Sequence, residues 1–414
     1  MGLILKSIKR EKSIPKSELY LYNSIYTCGY NNGFCNLGIG SEVLNRNLPS
    51  IVVKDPIGYV TDVTFISCGS NHTLALTKDN KVMAWGVGGA GRLGNGSTEK
   101  ACSAIYVKNP SGTGHLSNIK KIAVMTSGSH SLVIDFDGCV WAWGWNFSGQ
   151  LGDGTTTDRY LPVRVKGING NGYLCNIIKI VAGGRSSFAL TEDGFVLRWG
   201  LKFEDFANYY TTPRIQPGPG GSGYLYNVTN IFASGNTAFA IKSDGTVYAW
   251  GANYYGQLGI NSTDLTKDYP TKVKDVDGVS DLKDVIQIAP GWEHTLFLKS
   301  DGTVYACGRN NDGQLGDGTT TNRYKIVRVK NLTNIIYIAA GSSHSLAVKS
   351  DGSVYAWGRN NNGQLGDGTY TNRHTPVKVK NEDGTGYLSD IVCVSAGMEF
   401  SAFLKQKRIP TEDI

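Results

Sequence analysis

From Asn334 the chain reads NIIYIAAGSSHSLAVKSDGSVYAWGRNNNGQLGDGTYTNRHTPVKVK, and its apolar positions fall into short runs separated by polar, glycine-rich breaks. IIYIAAG and SLAVKS are rich in β-branched and small apolar residues, which predicts two strands. Asp351-Gly352 between the second and third runs supplies a tight hairpin turn, because glycine accepts positive φ without steric cost. SVYAWG is a third strand. TPVKVK alternates apolar and basic residues like a strand wetted on one face. The unit therefore reads as four antiparallel strands, and nowhere does an apolar period of 3.6 persist over a helical length.

The unit recurs. Aligned on an aromatic-glycine step, the chain offers Cys28-Gly29, Trp85-Gly86, Trp143-Gly144, Trp199-Gly200, Trp250-Gly251, Cys307-Gly308 and Trp357-Gly358. Copies separated by fifty-odd residues form a repeat array rather than unrelated domains. The last copy supplies only two strands, IVCVSAGMEFSAFLK, while the first starts at LYLYNSIYTCG and lacks those two. C-terminal strands completing the N-terminal blade close a ring and remove exposed sheet edges. The expected fold is all-β: a single seven-bladed propeller of four-stranded blades over residues 20–405, between a basic tail (1–19) and a short tail (406–414).

The blocks AGSSHSLAVKSDGSVYAWGRNNNGQLGDG and APGWEHTLFLKSDGTVYACGRNNDGQLGDG resemble the repeat of the regulator of chromosome condensation family. The resemblance spans nearly the whole chain and implies a seven-bladed propeller. Connectors such as GTGHLSN, GNGYLCN and GTGYLSD resemble its bacterial branch, which extends the expectation to a bacterial or phage surface component. The family's eukaryotic founder exchanges guanine nucleotide on Ran, so the resemblance also implies a small GTPase as an alternative partner. That activity needs a projecting wedge, and no extended hairpin insertion stands in the third or fourth repeat.

Composition refines this picture. The 414 residues include 53 glycines, about twice the ordinary share, as many tight turns require. No apolar run reaches the roughly 18 residues of a membrane helix. The N-terminal MGLILKSIKREKSIPKSE has too short an apolar run for a secretion signal, so a cytoplasmic protein or a virion component assembled there is expected. Eight cysteines without a CxxC pair are read as free, buried thiols in a reducing compartment, with Cys28 and Cys307 replacing tryptophan. The net charge of +7 is spread over outer-strand pairs such as VRVK (163–166 and 327–330) and the N-terminal tail. Dispersed lysines keep strand edges soluble. DNA or chromatin binding through the tail is thus the last-ranked reading.

Antiparallel order places the GSSH-type turns and the GRNNNGQLGDG-type loops on one face of the disc, and the Asp-Gly turns and connectors on the other. On the first face the residue after the aromatic-glycine step varies: Trp145, Arg309 and Arg359 are among its occupants. With Phe147, Arg185, Tyr254, Tyr255, Trp292 and Glu293 they make an arc of aromatic and arginine side chains, the usual anchors of a binding surface. The alternative is that they only cover neighbouring loops. The repeat after Trp199 departs from the pattern as WGLKFEDFANYYTTP; Phe203, Phe206, Tyr209 and Tyr210 there mark either a degenerate repeat or a recognition loop.

Catalytic chemistry finds no support. His72, His130, His294 and His344 share one slot with Ser186 and Thr237, which suits a group that hydrogen-bonds to a turn rather than a metal ligand. No HExxH, phosphate loop or nucleophile elbow is present. The GDGTTT loops lack the spaced carboxylates of a calcium loop. No cofactor and no resident metal are expected. The reading is a non-enzymatic recognition or scaffold propeller that binds a protein or glycan.

Overall fold

A computed structural model describes residues 23–42, 44–54, 58–126, 128–202 and 208–406. Among these the strands form seven antiparallel four-stranded sheets arranged as blades of a ring. In chain order we number the blade completed by both termini 1, and the others 2 (63–106), 3 (119–164), 4 (177–215), 5 (228–272), 6 (285–328) and 7 (335–378). Blade 7 shows the plan: inner strand Ile335–Ala340, second strand His344–Lys349, third strand Val354–Gly358 and outer strand Arg373–Lys378. Blade 1 is built as the sequence implies. Ile391–Ala396 and Phe400–Lys405 are its inner pair, and Ser24–Gly29 and Arg46–Ile51 its outer pair. Tyr26 lies opposite Phe403 and Cys28 opposite Ser401, so the chain's two ends are joined by a full antiparallel ladder.

A bulge recurs where each inner strand begins. Ile335 pairs with Lys349 and Tyr337 with Val348, leaving Ile336 as an extra residue. The same slip separates Ile177 from Lys179 and Val285 from Gln287. A bulge re-aims side chains: residues such as Tyr337, Lys179 and Gln287 line the central channel.

The core is divided among the gaps between blades. Leu74 and Leu76 of blade 2 pack with Ile122, Val133 and Trp143 of blade 3, and Leu296 and Leu298 of blade 6 pack with Ile338 and Trp357 of blade 7. A repeat cannot bury its own apolar face, so only a neighbour completes it.

The duplicated GQLG segment is the clasp. The Gln314 carbonyl accepts from Trp357 Nε1 (2.9 Å) and Ser345 Oγ (2.8 Å) of the next blade. Gln150 does the same for Trp199 and Ser187. Where tryptophan is replaced, Cys28 Sγ and Cys307 Sγ lie 3.5 Å from the Gln364 and Gln257 carbonyls, so the substitution keeps the contact. Both thiols are buried, and burial raises their pKa far above the ordinary range.

Two expectations are corrected. Four of the eight cysteines are paired: Cys35–Cys102 ties blade 1 to blade 2, and Cys139–Cys175 ties the hairpin turn of blade 3 to the connector entering blade 4. The partners lie 67 and 36 residues apart in sequence but in adjacent blades, so spacing hides the pairing. Cys28, Cys68, Cys307 and Cys393 are free. A reducing compartment, inferred from eight free thiols, loses that support. Second, the slot histidines do not bond to their own turn. Nε2 of His72, His130, His294 and His344 meets the hydroxyl of Ser131, Ser187, Ser345 and Ser401 in the following blade at 2.8–3.1 Å. Only Thr237 bonds within its turn, to the Ser234 carbonyl.

Candidate functional site on the loop face

The loops that follow the third strands are rigid for reasons written in GRNNDGQLGDGTTTNR. Asn310, fully buried, donates to Asp317 and to the carbonyl of Thr319 and accepts from the Leu315 N–H. Asp317 is bound by Thr319 and by Arg323 at 2.7 Å. The same Asp–Thr–Arg staple holds Asp153 with Thr155 and Arg159, and Asp367 with Thr369 and Arg373. Burial alone pushes these carboxyls up, yet hydrogen bonds from threonine and arginine hold all three below the usual range. Their oxygens are occupied by the chain's own groups, which is why the acidic loops stabilise structure instead of offering a cation site.

The short turns between the first two strands are linked across blades. Ser342 N–H donates to the Met398 carbonyl, Met398 N–H to Ser70, Ser70 N–H to Gly128, and Gly184 N–H to Gly235. Residues carried by either loop type therefore share one firm platform, as the antiparallel order predicts.

On that platform the arc resolves into three groups. The Trp145 and Phe147 rings are stacked, 6.2 Å apart and 8° from parallel, and the Arg185 guanidinium of the next blade lies 5.5 Å over Trp145. Phe147 is 67% exposed, although a benzyl ring gains by burial. The second group joins blades 5 and 6: Arg309 pairs with Glu293 at 2.6 Å and lies 5.6 Å over Tyr255. Trp292 and Tyr254 beside it are 45% and 47% exposed. The third is Arg359, 3.3 Å from Glu399, whose carboxylate also accepts from Asn362.

The Arg309 and Arg359 expectations thus split. Both lie on the face, but each is already paired, which orients the guanidinium and reduces its free charge. Glu399 was missed because it sits in the last, incomplete repeat. Phe34 was also missed; it packs 5.5 Å from Tyr30, beside the equivalent slot of blade 1. Phe203 and Phe206 lie outside the described residues. Tyr209 and Tyr210 belong to the outer strand Tyr209–Ile215 rather than to a loop, and Tyr210 packs beneath Arg198, Lys202 and Arg214.

The buried histidines offer no acid–base chemistry at neutral pH. Burial holds His130, His294 and His344 at about 3, and His72 well below its ordinary value. A ring of seven blades with an aromatic and arginine-bearing loop face defines a propeller of the repeat-built, surface-presenting kind.

The chain belongs to the family of RCC1-like domains, whose profile matches residues 24–403. It is 31% identical over 266 residues to the ultraviolet-B receptor UVR8 of Arabidopsis thaliana, covering 62% of this chain and 56% of that protein. It is 31% identical over 320 residues to human E3 ubiquitin-protein ligase HERC2, covering 74% of this chain and 6% of HERC2. The chain thus spans about half or less of these relatives. Among solved structures it superposes on human WBSCR16 (TM-score 0.77, 20% identity, 94% and 100% of the two chains). It superposes equally on Prp20p of Saccharomyces cerevisiae (0.76, 23%, 96% of each), a protein with described binding to Gsp1p and histones. These two likenesses concern the fold. The relatives named are from plant, mammal and yeast, and lend no support to a bacterial or phage branch.

Proposed function

We propose that the protein is a non-enzymatic recognition propeller that binds a protein partner through its loop face. The observation that carries this reading is the Trp145–Phe147–Arg185 cluster, which leaves Phe147 mostly exposed on a loop held in place by the Asp153 staple. Exposed aromatics with a nearby arginine are the residues that anchor protein interfaces. Trp292 and Tyr254, beside the Arg309–Glu293 pair, extend the surface, and the charges at its rim suit orientation and rate more than affinity. The test is capture of partners from lysate by the whole chain and by a Trp145→Ala, Trp292→Ala variant, with soluble and envelope fractions kept apart. Retention of every partner by the variant rejects the assigned face. A glycan ligand is the narrower alternative, supported by enrichment of envelope glycan that the variant loses.

A second reading is nucleotide exchange on a small GTPase. Its support is the likeness to Prp20p, whose binding to Gsp1p is described. Release of labelled GDP from Gsp1p at the uncatalysed rate, in the presence of this chain, removes it.

A further inference from the structure

The central channel holds a feature that the loop-face reading does not use. It encloses a cavity of about 220 Å³ walled by the seven inner strands. Most of its lining is apolar, including Phe65 and Phe232, and among the described residues Lys179 is its one charged group. The polar groups of the wall are otherwise committed. Gln287 bonds both the N–H and the carbonyl of Ile338, Ser395 accepts from Cys68 N–H, and Ser67 bonds both the N–H and the carbonyl of Val124.

Lys179 has no such match. Its ammonium lies 4.1 Å over the Phe232 ring and donates to the neutral Asn230 side chain, whose oxygen also serves Ile231 N–H. Among the described residues no carboxylate lines the cavity. The neighbouring inner strand adds a second cation, Lys121, whose ammonium donates to the Ile178 carbonyl, and the preceding Lys120 is exposed. On the other strands the cavity is lined by uncharged Gln287 and Phe65 and by Tyr337, whose phenol neighbours the buried Cys393 thiol. Burial pushes the phenol far up and the thiol to about 12, so neither supplies a negative charge at neutral pH. A half-buried cation among apolar groups, with no anion beside it, is costly, and this disfavours its charged form. Burial, then Lys121, brings Lys179 down to about 7.

Thr126, buried at the loop-face end, lies 2.9 Å from the carbonyls of both Ala340 and Ala396 across the channel. The inner strands begin on the opposite face, that of the Asp-Gly turns, where the bulge residues Ile178, Ile286 and Ile336 are exposed.

We propose that this channel is a binding site for a small apolar carboxylate, which enters from the face of the Asp-Gly turns and pairs its carboxylate with the Lys179 ammonium. The hydrocarbon part lies against Phe65 and Phe232, and the pair supplies the counter-charge that the wall lacks. A ligand that needs the charged amine takes up a proton on binding at neutral pH, so affinity rises as pH falls from about 8 to about 6.

The experiment is a calorimetric titration of the whole chain with hexanoate, with 1-hexanol as the neutral counterpart. One saturable site is expected, weakened at least about tenfold in Lys179→Met and for 1-hexanol, and unchanged in Lys330→Met. Absence of a saturable site, or equal affinity in Lys179→Met, overturns the proposal. If Lys179→Met does not fold, NMR of the lysine methylenes in the unaltered chain decides. An upward shift of the Lys179 titration with hexanoate supports the site, and an unmoved titration overturns it. Tighter binding of inorganic phosphate than of hexanoate at the same resonance overturns the apolar part.

Discussion

Gly341 has no left-handed backbone, yet a Cβ there meets the His344 ring at 2.0 Å. The glycine of the GSSH turn is thus set by the histidine that folds back over it. Gly316 is constrained twice, with φ of 66° and a virtual Cβ 2.8 Å from Trp357 Nε1. Gly316→Ala is expected to destabilise by about 1–3 kcal/mol, read as a lowered denaturant midpoint; an unchanged midpoint means the ring can move aside. His130, His294 and His344 also couple stability to pH. Their folded pKa of about 3 lies below the unfolded value, so the unfolded chain binds the extra protons between roughly pH 6.5 and 3. The stabilisation is complete above pH 6.5 and is lost as pH falls through the folded value. Acid titration followed by fluorescence should show cooperative unfolding in this window, and His294→Gln should lessen the dependence.

At the scale of elements the GQLG clasp and the tryptophan form one device, because a single carbonyl receives the indole and the hydroxyl of the next blade. Trp357→Ala removes both the ring and one of these bonds. A cost of about 3–5 kcal/mol is expected, measured by equilibrium unfolding, and Trp357→Cys should retain more stability because Cys28 and Cys307 already fill that slot. The Cys139–Cys175 bridge spans 36 residues; its reduction, or Cys139→Ser, should lower stability by about 3 kcal/mol. Equal melting with and without reductant would show the bridge to be dispensable. On the loop face the expectation is opposite. Phe147→Ala removes an exposed ring, so stability should change by less than about 0.5 kcal/mol while partner binding falls.

For the whole molecule the decisive element is blade 1. Its inner strands come from residues 391–405 and its outer strands from 24–51, so deletion of 391–405 strips the inner pair and leaves Ser24–Gly29 with an unpaired edge. The deleted chain should self-associate in sedimentation, since unpaired edges recruit other strands; a stable monomer would mean that six blades close by themselves. Ring closure also creates the channel: Thr126 reaches carbonyls more than two hundred residues away in sequence, and the wall around Lys179 is drawn from all seven inner strands.

Strand identity, repeat number, ring closure and the face shared by the two loop types are all legible in the residues, because strand period, turn glycines and recurring motifs are local signals that repetition multiplies. Trp145, Phe147 and Arg185 stand out in the sequence for the same reason: each breaks a pattern its neighbours define. The histidine bond to the next blade, the two inter-blade disulfides, the pairing of Arg309 and Arg359 with Glu293 and Glu399, and the lysine in the channel depend on how one blade sits against the next. That contact has no fixed sequence spacing, so only the tertiary structure decides it.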